Sequence, residues 1–91
     1  MSEAGKSHTT TNHKTIREWM EDRGGHPAKV KGTDDKHGGL LRVDFGRPEE
    51  NLERIEWEEF FETFDANKLA FLYQEEIHGH KSRFCKFVNR D

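Results

Sequence analysis

Residues 55–73, IEWEEFFETFDANKLAFLY, decide the fold. Aromatic side chains recur at the i, i+3, i+4 and i+7 positions of one helical face, namely Trp57, Phe60, Phe61 and Phe64. Apolar side chains then recur at every second residue, as in a strand, at Leu69, Phe71 and Tyr73. The stretch therefore predicts an amphipathic helix that runs almost directly into a strand, with Asn67 as a left-handed stop between them.

The first half of the chain predicts the same order of elements. Thr15 and Glu18 fit a capping box at the start of a helix, and Gly24-Gly25 ends it because glycine adopts the left-handed conformation at little cost. The apolar face of this helix contains Ile16, Trp19 and Met20. A short strand follows with two inward side chains, Ala28 and Val30. The inward side of its partner strand is formed by Leu41, Val43 and Phe45.

Helix–strand–strand thus occurs twice, through either internal duplication or two independent units of one type. Residues 46–54 are predicted to be a connecting loop, and residues 83–89 to return as a fourth strand. This order predicts an α+β fold, a two-layer domain of αββαββ order with a mainly antiparallel four-stranded sheet and two helices on one face. Residues 15–91 are assigned to this single domain and the polar residues 1–14 to a disordered tail. Both halves are expected to share one core, since either alone would leave its apolar side in water.

The composition favours a folded protein of the cytoplasm. The chain of 91 residues is 36% charged and only 31% hydrophobic, yet it carries seven Phe, two Trp and one Tyr, which disordered chains lack. Cys85 is its single cysteine, so no internal disulfide can form and a reducing compartment is expected. No apolar run approaches the ~18 residues of a membrane span, and the N-terminus lacks the apolar segment of a signal peptide.

Charge is divided unevenly along the chain. Residues 48–76 hold ten acidic side chains against two basic ones, whereas residues 23–47 hold six basic against three acidic ones. The predicted strands are therefore basic and the second helix is acidic. The basic candidates for a binding face are Lys29, Lys31, Arg42, Arg83 and Lys86. Such a face could bind a polyanion or a protein partner, and the alternative is that these charges only keep edge strands soluble.

Four segments carry a resemblance to a known family: TIREWMEDRGGHPAKVKGT, GGLLRVDF, IEWEEFFETFDANKLAFLYQ and SRFCKFVNR. Together they resemble a family of small bacterial proteins of unknown function, some of which carry the label 1,4-alpha-glucan branching enzyme. Two positions depart from the family pattern, because Glu56 stands where Ser or Thr caps the helix and Cys85 where an aromatic residue is usual. Enzymes with that label resemble (β/α)8 barrels of about 250 residues or more. A chain of 91 residues cannot form one, so the resemblance implies no reaction here.

Histidines, a cysteine and the acidic helix are the candidates for chemistry. His78 and His80, with His37 in another turn, could ligate a metal, but zinc requires three or four preorganised ligands and solvated turn residues are the alternative that we favour. Cys85 could act as a nucleophile only with a depressed pKa and a partnering base, and a small packed thiol fits its strand better. The carboxylates of the second helix lie mainly away from its aromatic face. We predict no catalytic residues, no metal, no cofactor and no enzymatic activity.

Two hypotheses about function follow. The first is a non-enzymatic module of the bacterial cytoplasm that binds another protein, either through its sheet face and sheet edges or between the basic strands and the acidic helix. The second is nucleic-acid binding by the basic strand residues, which predicts an affinity that falls with salt. In both cases we expect a monomer or weak homodimer without membrane association.

Overall fold

The computed structural model describes residues 6–47, 51–77 and 79–90. Within them lie two helices, α1 (His13–Asp22) and α2 (Trp57–Ala66). The strands are β1 (Ser7–Thr10), β2 (His26–Val30), β3 (Leu41–Asp44), β4 (Leu52–Arg54), β5 (Leu69–Gln74), β6 (Glu76–Ile77), β7 (His80–Lys81) and β8 (Cys85–Asn89). The predicted α+β class is confirmed.

The strands form two three-stranded antiparallel sheets in place of the predicted four-stranded sheet. The first sheet has the order β3-β2-β4 and the second β1-β5-β8, while β6 and β7 pair with each other. Both predicted hairpin pairings are present, β2 with β3 and β5 with β8. The single sheet is wrong because β2 and β5, which each follow a helix, acquire a third strand from outside their hairpin, whereas β3 and β8 do not pair together.

The segment assigned to the tail contributes one of these extra strands. β1 runs antiparallel to β5, with Ser7 opposite Gln74 and Thr10 opposite Phe71. The prediction of a tail through residue 14 is therefore wrong for residues 7–14, and residues 1–5 lie outside the described part of the chain. β1 is polar and mostly exposed, so backbone hydrogen bonds to β5 rather than buried side chains hold it.

Helix α1 begins earlier than predicted. Asn12 is its N-cap, and the Asn12 side chain accepts a hydrogen bond from the Thr15 backbone N–H at 2.9 Å. The capping box of Thr15 with Glu18 is therefore wrong, because an amide side chain three residues upstream already satisfies that N–H. The Gly24-Gly25 stop is confirmed, since Gly24 has a φ of 71° and the Gly25 N–H donates to the Met20 carbonyl at 2.8 Å.

Two further corrections concern the connections around α2. Asn67 ends the helix with a φ of −92°, so it is not left-handed, and Lys68 takes that conformation instead with a φ of 52°. The predicted loop over residues 46–54 contains the strand β4, which pairs with β2. Apolar periodicity does not predict β4, because the sequence LER is mainly charged and the strand pairs through its backbone.

One hydrophobic cluster joins both helices and both sheets, as predicted. Its buried members are Ile16, Trp19, Met20, Leu41, Val43, Phe60, Phe64, Phe71 and Tyr73. Phe61 packs against this cluster but is only half-buried, whereas Phe60 and Phe64 are fully buried. The helices and sheets therefore exclude water as one unit.

Candidate functional site

The predicted basic face does not exist as one surface. The register of β2 and β3 places Lys29 opposite Leu41 and Ala28 opposite Arg42. Opposite residues in an antiparallel pair share a face. Lys29 therefore lies on the face of the buried Leu41, and Arg42 lies on the other face. The expectation that both point away from the core is wrong.

The remaining basic candidates are also dispersed. Lys29 forms ion pairs with Asp34 at 2.9 Å and with Glu59 at 3.3 Å, so its charge is neutralised. Lys31 is exposed beyond the end of β2, and Lys86 is exposed on β8 opposite Leu72. The structure brings together only Arg42 and Arg83, and the binding role of all five stays a prediction.

Arg42 and Arg83 line one cleft of about 470 Å³ that borders the edges of β3 and β8 and extends over the first sheet to Val30 of β2 and Leu52 of β4. It is lined by Val30, Arg42, Val43, Phe45, Arg47, Leu52, Arg83 and Cys85. A second cleft of about 330 Å³ lies between the opposite ends of the same strands, and Leu40, Leu41, Phe87 and Asn89 are among its lining residues. Residue numbers rise along β3 where they fall along β8, so the two edges run antiparallel. We call the two clefts together the β3–β8 groove.

Backbone groups of β3 are directed into this groove. The Val30 N–H donates to the Leu40 carbonyl at 2.9 Å, which makes these two residues a hydrogen-bonded pair. Hydrogen-bonded and non-bonded pairs alternate along an antiparallel ladder. Leu41 and Val43 therefore direct their N–H and C=O groups away from β2, toward the groove. The Leu41 carbonyl accepts a hydrogen bond there from Arg42 Nη1 at 2.9 Å.

The facing edge of β8 follows the same rule. The Gln74 N–H donates to the Phe84 carbonyl at 3.3 Å, so this pair belongs to the bonded set. Cys85 and Phe87 consequently direct their backbone groups away from β5. No other strand among the described residues pairs with the free edge of β3 or β8.

The larger cleft of the groove, which we call the arginine cleft, is lined by positively charged and apolar residues. Its lining contains three arginines and, within the described part of the chain, no carboxylate. None of these arginines takes part in an ion pair between described residues. The guanidinium of Arg83 lies 5.3 Å from the Phe45 ring centroid, which gives it a cation–π contact. Sequence analysis missed Arg47, because it lies outside any predicted strand and only the fold places it beside the other two.

Cys85 borders the same cleft in a protonated form. Burial raises the pKa of its thiol to about 11, and the nearby Arg42 opposes this only in part. A nucleophilic cysteine requires the opposite shift of its pKa. The geometry agrees with the interpretation of Cys85 as a small packed group.

We expect Cys85 of the folded protein to react about a hundredfold more slowly with a maleimide at pH 8 than in urea, because its pKa is raised from 9.0 to about 11 and only the thiolate reacts. The native rate should rise about tenfold per pH unit between pH 8 and pH 10. Labelling followed by mass spectrometry measures both rates. A native rate within threefold of the unfolded rate would contradict the burial of this thiol.

The histidines proposed as metal ligands are separated. His37 is exposed in the connection between β2 and β3, His80 is exposed on β7, and His78 lies outside the described residues. No group of three or more His, Cys, Asp or Glu side chains in residues 6–47, 51–77 and 79–90 could hold a metal ion.

Comparisons with known proteins assign no function to the groove. The chain matches no sequence profile of a protein family, no curated protein and no solved structure. The resemblance to a bacterial family stays a prediction. Neither described helix has the length and apolar character needed to cross a bilayer.

Proposed function

We propose that the protein is a non-enzymatic module that binds an extended segment of another protein in the β3–β8 groove. The observation that carries this proposal is the presence of two free strand edges that direct backbone donors and acceptors into one groove. An extended peptide gains affinity by pairing with such an edge and specificity from pockets for its alternate side chains. The groove offers both in a single place.

The other two sheet edges are less suitable for pairing. β1 reads SHTT and β4 reads LER, so both outer edges are mainly polar. Short or charged edge strands are how proteins prevent pairing with other chains. β3 and β8 instead alternate apolar residues with Arg42 and Lys86. The difference supports the groove, rather than the sheet in general, as the place of binding.

Nucleic-acid binding is the second candidate, and the three arginines of the groove favour it. Single-stranded nucleic acids follow a long basic track with stacking rings. Lys29 is neutralised, whereas Lys31 and Lys86 do not line the groove. The positive charge is thus confined to one cleft, which suits a short segment better than a polynucleotide.

A display screen tests the proposal directly. The full chain should select peptides from a random heptamer library, and titration of a selected peptide should shift the backbone amide resonances of residues 40–45 and 83–89. The screen supports the proposal if these shifts dominate. It contradicts the proposal if no peptide is enriched, or if the shifts fall on β1, β4 or the helices.

Two exposed apolar residues provide matched variants for this screen. Leu40 is 52% exposed and lines the groove, whereas Phe84 is 39% exposed and lines neither of its clefts. Leu40→Ser should weaken peptide binding about five- to tenfold, since a large apolar contact is lost. Phe84→Ser should change it by less than twofold. Calorimetric titration measures both, and equal effects would place the binding site elsewhere.

A further inference from the structure

We infer that the segment bound in the β3–β8 groove is acidic, with carboxylates held by Arg42, Arg47 and Arg83 and apolar residues in the second cleft. This inference rests on the proposed function and specifies the chemistry of the partner. It follows from charge complementarity. The arginine cleft is lined by three cationic side chains and, among the described residues, by no carboxylate.

The setting of the arginines strengthens their attraction for carboxylates. Val30, Val43, Phe45 and Leu52 form the apolar part of the cleft lining. The three arginines are themselves exposed, but a segment that packs on this apolar lining covers them, and charge-assisted hydrogen bonds shielded from water are stronger than those in open water. A guanidinium presents a planar set of N–H donors that matches a carboxylate in a bidentate pair. Arginine is thus suited to read Asp and Glu at this place.

Two of the three arginines are already held in position. Arg42 Nη1 donates to the Leu41 carbonyl at 2.9 Å, and Arg83 lies over the Phe45 ring at 5.3 Å. Each guanidinium has five N–H donors, so neither contact exhausts it. Binding a carboxylate therefore requires little additional ordering of these side chains.

The two clefts also differ in character along the groove. The arginine cleft lies beside residues 42–47 of one edge. The lining of the second cleft combines Leu40, Leu41, Leu69 and Phe87 with polar residues that include Asp35, whose carboxylate disfavours acidic side chains there. Side chains on one side of an extended segment recur about every 6.4–6.8 Å. A segment with Asp or Glu at alternate positions near one end and apolar residues near the other fits this division.

The charge of the rest of the protein is unfavourable for binding a polynucleotide. Glu58, Glu59 and Glu62 are exposed on α2, and the chain has a formal net charge of −3. A long phosphate chain is repelled by this net negative charge more strongly than a short peptide with a few carboxylates.

The peptides enriched in the heptamer screen test the inference. Each is synthesised as selected and also with its Asp and Glu replaced by Asn and Gln. Acidic residues should be enriched at alternate positions, and their replacement should weaken binding about tenfold or more. The double variant Arg42→Gln/Arg83→Gln should remove this acidic preference. The control Lys14→Gln/Arg17→Gln removes two exposed cations of α1 that do not line the groove, so it should leave the preference within twofold.

The outcomes separate the inference from the proposed function. Enriched peptides that bind equally well after replacement of their acids would overturn the acidic preference and leave groove binding intact. A screen without enriched peptides would overturn both. A single-stranded oligonucleotide that displaces the peptide and loses affinity in Arg42→Gln/Arg83→Gln would assign the arginines to phosphate instead.

Discussion

Replacing Phe60 by alanine lowers the free energy of unfolding by about 3–5 kcal/mol. Phe60 is fully buried, and its ring contacts Phe61 at a centroid distance of 5.1 Å and Phe87 at 5.8 Å. Removal of the ring deletes buried apolar surface and leaves a cavity where α2 meets the second sheet. Small domains are stable by only about 5–15 kcal/mol, so this loss is a large part of the total.

Urea denaturation followed by tryptophan fluorescence measures the effect. If the alanine variant does not fold, Phe60→Leu keeps the experiment informative, because a smaller loss of about 1–2 kcal/mol is expected from partial filling of the same space. Phe84→Ala is the matched control, since this phenylalanine is exposed just before β8 and its replacement should cost less than about 1 kcal/mol. Equal losses at both positions would show that the hydrophobic cluster is not the stabilising core.

The features that the sequence predicts correctly are those with strong apolar periodicity. The aromatic face of α2 and the alternation in β5 bury their side chains in the cluster, and both hairpins pair as expected. Burial of large side chains dominates the free energy of folding, so a pattern that specifies it also specifies the element.

The strands β1 and β4 were not predictable on that basis. Neither buries a large side chain, and each adds to a strand that is already present. Such strands are stabilised by backbone hydrogen bonds that any polar sequence can form. Their addition occupies the second edges of β5 and β2, and β3 does not pair with β8, so the hairpins lie in two three-stranded sheets.

Prediction of the candidate site requires the pairing register of the strands as well as the apolar periodicity within each strand. Alternation within β2 separates Ala28 from Lys29, and alternation within β3 separates Leu41 from Arg42, but neither pattern relates the two strands. A shift of one residue moves every side chain to the opposite face. The observed register pairs Lys29 with Leu41, so the predicted basic face divides between two sides. Only the tertiary structure then brings Arg42, Arg47 and Arg83 to one cleft.

Replacing Arg23 by methionine should cost about 3–5 kcal/mol, although arginine is usually a surface residue. Its side chain is only 3% exposed and packs over the Trp19 ring at 4.4 Å. Nε donates to the Ser82 carbonyl at 2.5 Å, Nη2 to the Glu75 carbonyl at 2.6 Å and Nη1 to the Trp19 carbonyl at 3.1 Å. Arg23 thereby joins the end of α1 to both ends of the segment that contains β6 and β7.

The expected loss arises mainly from the acceptors that methionine leaves behind. A buried ion pair can be replaced by apolar residues at little cost when both partners are changed. The exposed carboxylates of Asp22 and Glu75 lie 3.8 Å from the Arg23 guanidinium, but its hydrogen-bond acceptors are backbone carbonyls, which no substitution removes. Each unsatisfied buried group costs about 1–3 kcal/mol. Arg17→Met is the matched control on the same helix. Arg17 is exposed, pairs with Glu21 and lies 5.4 Å from the Trp57 ring centroid, so its loss should be below about 1 kcal/mol. Hydrogen exchange adds a local measurement, because the amides of residues 75–82 should lose protection in Arg23→Met and keep it in Arg17→Met. Unchanged protection together with unchanged stability would show that the three carbonyls are satisfied without this guanidinium.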